Sequence, residues 1–116
     1  MGDLAALEAR LQAVLDPYRD RLEPVEVYGQ PFLRPRGATK HQWFAGVNRT
    51  GDVVRFSLLP MYAHPELLEG VSPELLRRKR AATVFAFSEI EDSQLRELEA
   101  LVARAYEATI GEGSTP

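Results

Sequence analysis

The sequence predicts an α+β two-layer sandwich, an antiparallel sheet with a helix from each end of the chain on one face. Two observations lead there. Leucine-rich stripes at three- and four-residue spacing stand near both termini, the signature of amphipathic helices. Between them lie stretches that alternate apolar and polar residues, the signature of strands with one buried face. The 116 residues suffice for one domain with one core. We expect that domain to span 1–110, with a frayed tail at 111–116.

Leu4, Leu7, Leu11, Val14, Leu15, Tyr18 and Leu22 form the first stripe, and Asp3 is placed to cap it. Pro17 ends or kinks this helix, because proline lacks an N–H and crowds the preceding turn. Asp16-Pro17 also reads as the cap and first position of a short second helix. Val25 to Tyr28 alternates as a short strand. Gly29 to Lys40 carries two prolines and two glycines, which predicts mostly loop with a brief strand at Phe32-Leu33.

The strongest signal is a hairpin. His41 to Val47 alternates, Asn48 to Asp52 reads as a turn, and Val53 to Leu59 alternates again. The expected register puts Trp43, Val47, Val54 and Phe56 under the helices. Gln42, Phe44, Arg55 and Ser57 then share the opposite face. Thr83 to Ser88 predicts a further strand. Ser88-Glu89-Ile90-Glu91 fits a capping box, with Asp92 as a second choice. Leu95, Leu98, Leu101, Val102, Ala105 and Tyr106 predict a long last helix ended by Gly111.

Pro65-Glu66-Leu67-Leu68 returns as Pro73-Glu74-Leu75-Leu76. Proline suits the first turn of a helix, Ser72 is a good cap, and Gly70 fits just past a helix end. The stretch reads as two short helices in series whose four leucines point inward, Leu68 and Leu76 included. Two copies are too few for a solenoid.

Composition excludes several chemistries. With no cysteine there are no disulfides, thiol nucleophiles or cysteine zinc sites. No run of about 18 apolar residues suggests a membrane span. Met1-Gly2-Asp3-Leu4 lacks the basic and apolar regions of a secretion signal, so a cytoplasmic, bacterial-type protein is expected. The net charge of −3 is uneven: residues 1–33 carry −3, residues 34–80 carry +5 and residues 81–116 carry −5.

Four groups are candidates for function. Arg77, Arg78, Lys79 and Arg80 form a cationic run, read either as a dock for an acidic partner or as a solvated helix end. No helix-turn-helix, zinc-finger or RNA-recognition signature accompanies it, so nucleic acid is not an expected partner. Asp16, Asp20 and Glu23 share a face if the first helix runs through them, with Glu26 flanking. Such carboxylates can hold a hard cation weakly or simply solubilise a face shared with Arg19 and Arg21. Phe44 beside Arg55 has the makings of a partner surface, unless the short helices cover it. For an enzyme, Tyr62, His64 and Arg77 would be the group to inspect. No zincin spacing, nucleophile elbow, P-loop or dinucleotide fingerprint is present.

Residues 55–87, RFSLLPMYAHPELLEGVSPELLRRKRAATVFAF, resemble the YdhG-like family of bacterial domains. The likeness lies in Leu58-Leu59-Pro60-Met61-Tyr62, in the run from Pro65 to Pro73, and in the basic segment followed by Phe85-x-Phe87. The Trp43-Phe44-Ala45-Gly46 strand and the terminal helices fit the same pattern. Ala81-Ala82 depart from it, since many members carry Gly-Lys there. The resemblance implies a frataxin-like fold, and one branch of the family is described as an intracellular iron chaperone. It therefore implies a non-enzymatic protein that requires no cofactor. Asp16, Asp20, Glu23 and Glu26 would hold iron weakly for iron–sulfur or haem assembly, and Arg77 to Arg80 would dock iron-accepting machinery. The alternative is a metal-free interaction module using the open sheet face, Phe44 and Arg55, with the basic run.

Overall fold

The first apolar stripe folds as helix α1 (Leu4–Leu15), which buries Leu7, Leu11, Val14 and Leu15. The computed structural model describes residues 4–27, 29–35 and 43–108. Expectations for Asp3, Tyr28, His41, Gln42, Gly111 and the tail fall outside these residues. Pro17 ends α1 as expected, and the chain tightens into a 3-10 turn, Asp16–Arg21. That turn gives way to strand β1 (Leu22–Val27).

Strand β1 pairs antiparallel with β2 (Gln30–Pro35), and Gly29 between them has φ +79°. β2 is longer than the brief strand expected at Phe32-Leu33. Its prolines hid it, yet they cost little there. Only Phe32 and Leu33 pair onward with the next strand, so Pro31 and Pro35 need donate nothing on that side. Pro24 sits in β1, at the sheet edge, where a missing donor is tolerated.

The predicted hairpin is present as β3 (Ala45–Thr50) and β4 (Val53–Leu58). Its turn is only Gly51-Asp52, with Gly51 at φ +60°. Next come a helical turn α2 (Pro60–Ala63), a 3-10 turn Pro65–Leu68, and the single-turn helix α3 (Pro73–Leu76). Strands β5 (Lys79–Ala81) and β6 (Val84–Phe87) precede helix α4 (Asp92–Tyr106). All six strands form one antiparallel sheet in the order β1-β2-β3-β4-β6-β5.

The register explains the core. Val47 pairs with Phe56, and Phe56 with Phe85. Leu33, Ala45 and Leu58 make a parallel row, and Val54 faces Phe87. All are buried against Leu11, Leu15, Leu98, Leu101 and Val102 of the two long helices. Each large side chain in this layer contributes about 1.5–3 kcal/mol through burial. The α+β architecture, with both terminal helices on one sheet face, is as the sequence predicts.

One face assignment is corrected. Val47, Val54 and Phe56 lie under the helices and Arg55 opposite, as expected. Trp43 and Phe44 are exchanged. Phe44 is 1% exposed and meets the rings of Tyr18 and Tyr106, at centroid separations of 6.3 and 6.0 Å. Trp43 instead packs against Phe32, centroids 6.1 Å apart. The alternation breaks because Phe44 and Ala45 are both turned inward. Ala45 pairs with Leu33, and the Leu33 carbonyl also accepts the Phe44 N–H at 2.7 Å. Phe44 therefore cannot serve as an exposed partner-binding residue.

The cationic run is also corrected. Only its start is a helix end, with Arg77 at the C-cap of α3; Lys79 and Arg80 belong to β5, and the Arg78 carbonyl accepts the Ala86 N–H at 2.8 Å. Edge strands are commonly rich in cations, which discourage edge-to-edge pairing. For the same reason β5 lacks the apolar alternation that marks a strand.

The repeated segment is scaffold. Ser72 caps α3 by accepting the Leu75 N–H at 3.2 Å, as expected. Its own N–H and hydroxyl donate to the two carboxylate oxygens of Glu97 at 2.6 and 2.7 Å, fixing the cap to α4. Arg104 donates to the Leu67 carbonyl at 3.1 Å, a second tie. The inward leucines are Leu67 and Leu75, whereas Leu68 is only partly buried and Leu76 is 37% exposed. The cap of α4 is Glu91, whose N–H donates to Gln94 Oε1 at 3.1 Å, rather than Ser88 or Asp92. At this same end of α4, Arg10 of α1 donates to Asp92 at 2.7 Å.

Two outcomes follow for stability. Leu67→Ala and Leu75→Ala should each cost about 2–5 kcal/mol, while Leu76→Ala should stay within about 1 kcal/mol; urea unfolding of the three variants checks this. Burial raises the Tyr18 phenol pKa, an effect partly offset by Arg21. The phenolate is thus disfavoured in the fold. The associated stability is intact below the ordinary tyrosine range and is lost as pH rises through the raised value. Tyr18→Phe should unfold less steeply above pH ~10 than the parent, as read by thermal melts across alkaline pH.

Candidate functional site

The face away from the helices carries a continuous row across four strands. Phe32 pairs with Gly46, Gly46 with Ser57, and Ser57 with Val84. The neighbouring row runs Asn48, Arg55, Ala86. Gly46, Ser57 and Ala86 keep these rows low, and Ser57 lines the depression beside them. The resulting groove holds about 340 Å³ and is lined by Phe32, Trp43, Arg55 and Leu59 with polar Gln30, Asn48, Thr50 and Thr83 at its rim.

Gly46 is fixed by a close approach. A Cβ built there would stand 2.8 Å from the Phe32 ring and 2.7 Å from the Pro31 carbonyl oxygen. The Phe32 ring thus lies directly over the Gly46 backbone, with Trp43 against it. This aromatic pair was not among the expected site residues. Gly46 was the available signal, since a glycine inside a strand pattern marks a close contact above it.

Arg55 is exposed on this face, as expected, and has no hydrogen bond or ion pair among the described residues. Among the described residues it is the single charge lining the groove. Beyond β6 the sheet ends in the cationic edge, with Arg77 and Arg80 exposed and Arg78 and Lys79 half-buried. Arg80 Nη1 donates to the Arg77 carbonyl at 2.7 Å, which draws its side chain back along the turn.

The four carboxylates are spread over two elements. Asp16 and Asp20 lie on the 3-10 turn, Glu23 and Glu26 on β1. The helix does not run through them, so the one-face spacing drawn from a continuous helix does not apply. Asp16 accepts from Arg19 Nε at 2.7 Å. Glu23 Oε2 accepts both Nε and Nη2 of Arg34, at 3.0 and 2.8 Å. Among the described residues no three metal-ligating side chains gather.

Tyr62 is 74% exposed and lines neither this groove nor the cleft beneath α1 described below. His64 Nδ1 lies 3.1 Å from Glu66 Oε2. Backbone hydrogen bonding and then His64 hold the Glu66 carboxyl below its ordinary value. Neither His64 nor Arg77 lines either cavity. Among the described residues no helix is long and apolar enough to cross a membrane.

Compared with protein-family models, with curated proteins and with solved structures, the chain matches none. The YdhG-like resemblance rests on sequence motifs, sharpest in residues 55–87, which these comparisons neither support nor refute.

The contact of Phe32 over Gly46 sets a test. Gly46→Ala should destabilise the domain by about 1–3 kcal/mol, the usual range for overpacking. It should also shift the emission of Trp43, the chain's one tryptophan. Denaturation followed by fluorescence reads both effects in one experiment.

Proposed function

We propose that the protein is a non-enzymatic binding module that takes an acidic partner segment on its open sheet face. An apolar side chain of the partner would seat between Phe32, Trp43 and Leu59, and its carboxylates would meet Arg55 and the cationic edge. The observation that carries this reading is the charge of the face: among the described residues Arg55 is the one charge lining an aromatic-walled groove, and the adjoining edge is Arg77 to Arg80. Aromatic anchors in a shallow pocket provide most of the energy in such contacts, and surrounding charges steer the encounter and select the partner.

The iron-carrier reading rests on the family resemblance. Asp16 and Glu23 are already held by Arg19 and Arg34, which leaves them less available to a cation. It therefore stands second. An enzymatic reading built on Tyr62, His64 and Arg77 draws no support from a shared cleft.

The probe is a Glu-rich peptide bearing one leucine, with a Lys-rich peptide of the same length as its control. The Glu-rich peptide should change Trp43 emission saturably, and the affinity should fall with added salt. Arg55→Glu should weaken it about tenfold or more, because like charges then face each other. Equal binding of the Lys-rich peptide, or no response from Trp43, would count against the proposal. Saturable iron binding, lost on replacing Asp16, Asp20 and Glu23 by their amides, would favour the second reading.

A further inference from the structure

A second cleft opens on the helix side of the sheet, beyond the end of α1. Register places Pro24 opposite Leu33, and Glu26 opposite Pro31. Leu33 continues the row to Ala45, which belongs to the core face. Glu26 thus rises on the same side as α1, and not on the open face. The cleft holds about 380 Å³, within the range of about 300–1,000 Å³ usual for small-molecule sites. Exposed Pro24 and Pro31 supply its accessible apolar wall over the buried Leu15, Leu33, Ala45 and Val47, and Arg19 and Glu26 stand in its lining.

The two charged groups are differently held. Arg19 is pinned: Nε donates to Asp16 at 2.7 Å, and Nη2 donates to the Gln12 carbonyl and to Gln12 Oε1. Nη1 has no partner among the described residues and retains both donors. Glu26 is exposed and has neither hydrogen bond nor ion pair among the described residues. The guanidinium and the carboxylate line one cavity yet form no ion pair with each other. A ligand able to join them needs an anion for Arg19, a cation for Glu26, and an apolar group for the wall.

We propose that this cleft binds a free zwitterionic amino acid with an aliphatic or aromatic side chain. The carboxylate meets Arg19 Nη1, the ammonium meets Glu26, and the side chain packs on Pro24 and Pro31. A chain terminus of another protein offers only one of the two charges, so the free amino acid is the better fit. Phe32 borders both this cleft and the peptide groove, but Arg19 and Glu26 line this cleft alone, so the proposal does not depend on that reading.

The test is an amide NMR titration with four probes. L-Leucine carries all three features; 4-methylpentanoate lacks the ammonium, 3-methylbutylamine lacks the carboxylate, and glycine lacks the apolar group. Leucine should shift the Val25, Ala45 and Val47 amides saturably. Each of the other three should bind about tenfold or more weakly, the usual size of one lost charge-assisted bond or apolar contact. Glu26→Gln should erase the preference for leucine over 4-methylpentanoate while leaving 4-methylpentanoate binding in place. Arg19→Gln should do the same for leucine against 3-methylbutylamine. The Glu26 side chain makes no hydrogen bond or ion pair among the described residues, so its variant separates a lost ligand contact from misfolding. No saturable shift in the cleft up to about 50 mM leucine would overturn the proposal. So would equal affinities for leucine and 4-methylpentanoate in the parent protein.

Discussion

The row Val47–Phe56–Phe85 crosses the three central strands and fixes which side of the sheet faces the helices. Side chains alternate along a strand, so one registered row commits the neighbouring positions to the other side. Arg55 and Ser57 flank Phe56 and must point away from α1 and α4. The same phase brings Gly46 opposite Ser57 and makes room for the Phe32 ring. The open groove thus follows from the core row, without a separate device to build it.

The helices cover one face only, and this asymmetry distributes the charge. The β1 edge and the 3-10 turn carry Asp16, Asp20, Glu23 and Glu26, and Arg19 and Arg34 hold two of them. The β5 edge carries Lys79 and Arg80, with Arg77 and Arg78 in the turn before it. The N-terminal carboxylates and the Arg77–Arg80 run therefore lie at opposite edges of one sheet. The cationic edge adjoins β6, whose Val84 lines the groove.

How much could be read from the sequence depended on how many turns or pairs supported each signal. Helices α1 and α4 and the β3–β4 hairpin repeat their pattern several times, and each was legible. Strand β2 was not, because Pro31 and Pro35 read as loop while only Phe32 and Leu33 needed to pair on its inner side. Strand β5 was hidden by its cations. In single-turn helices such as Pro73–Leu76, periodicity cannot choose between adjacent leucines, and packing against α4 selects Leu75 over Leu76. The face of Trp43 and Phe44 was misread because a single break in alternation leaves no trace in a pattern of alternating residues. Arg55 was placed correctly on the open face, while its aromatic neighbours there were not, since their position depends on that break.

The central claim is that Phe44 lies inside and Trp43 outside, on a face the helices leave open. The most direct measurement is quenching of tryptophan emission by iodide in the parent protein and in the exchanged variant Trp43→Phe/Phe44→Trp. The account predicts that Trp43 is quenched and emits at longer wavelength, while a tryptophan at position 44 is shielded and blue-shifted. A shielded Trp43 together with a quenched tryptophan at position 44 would contradict it.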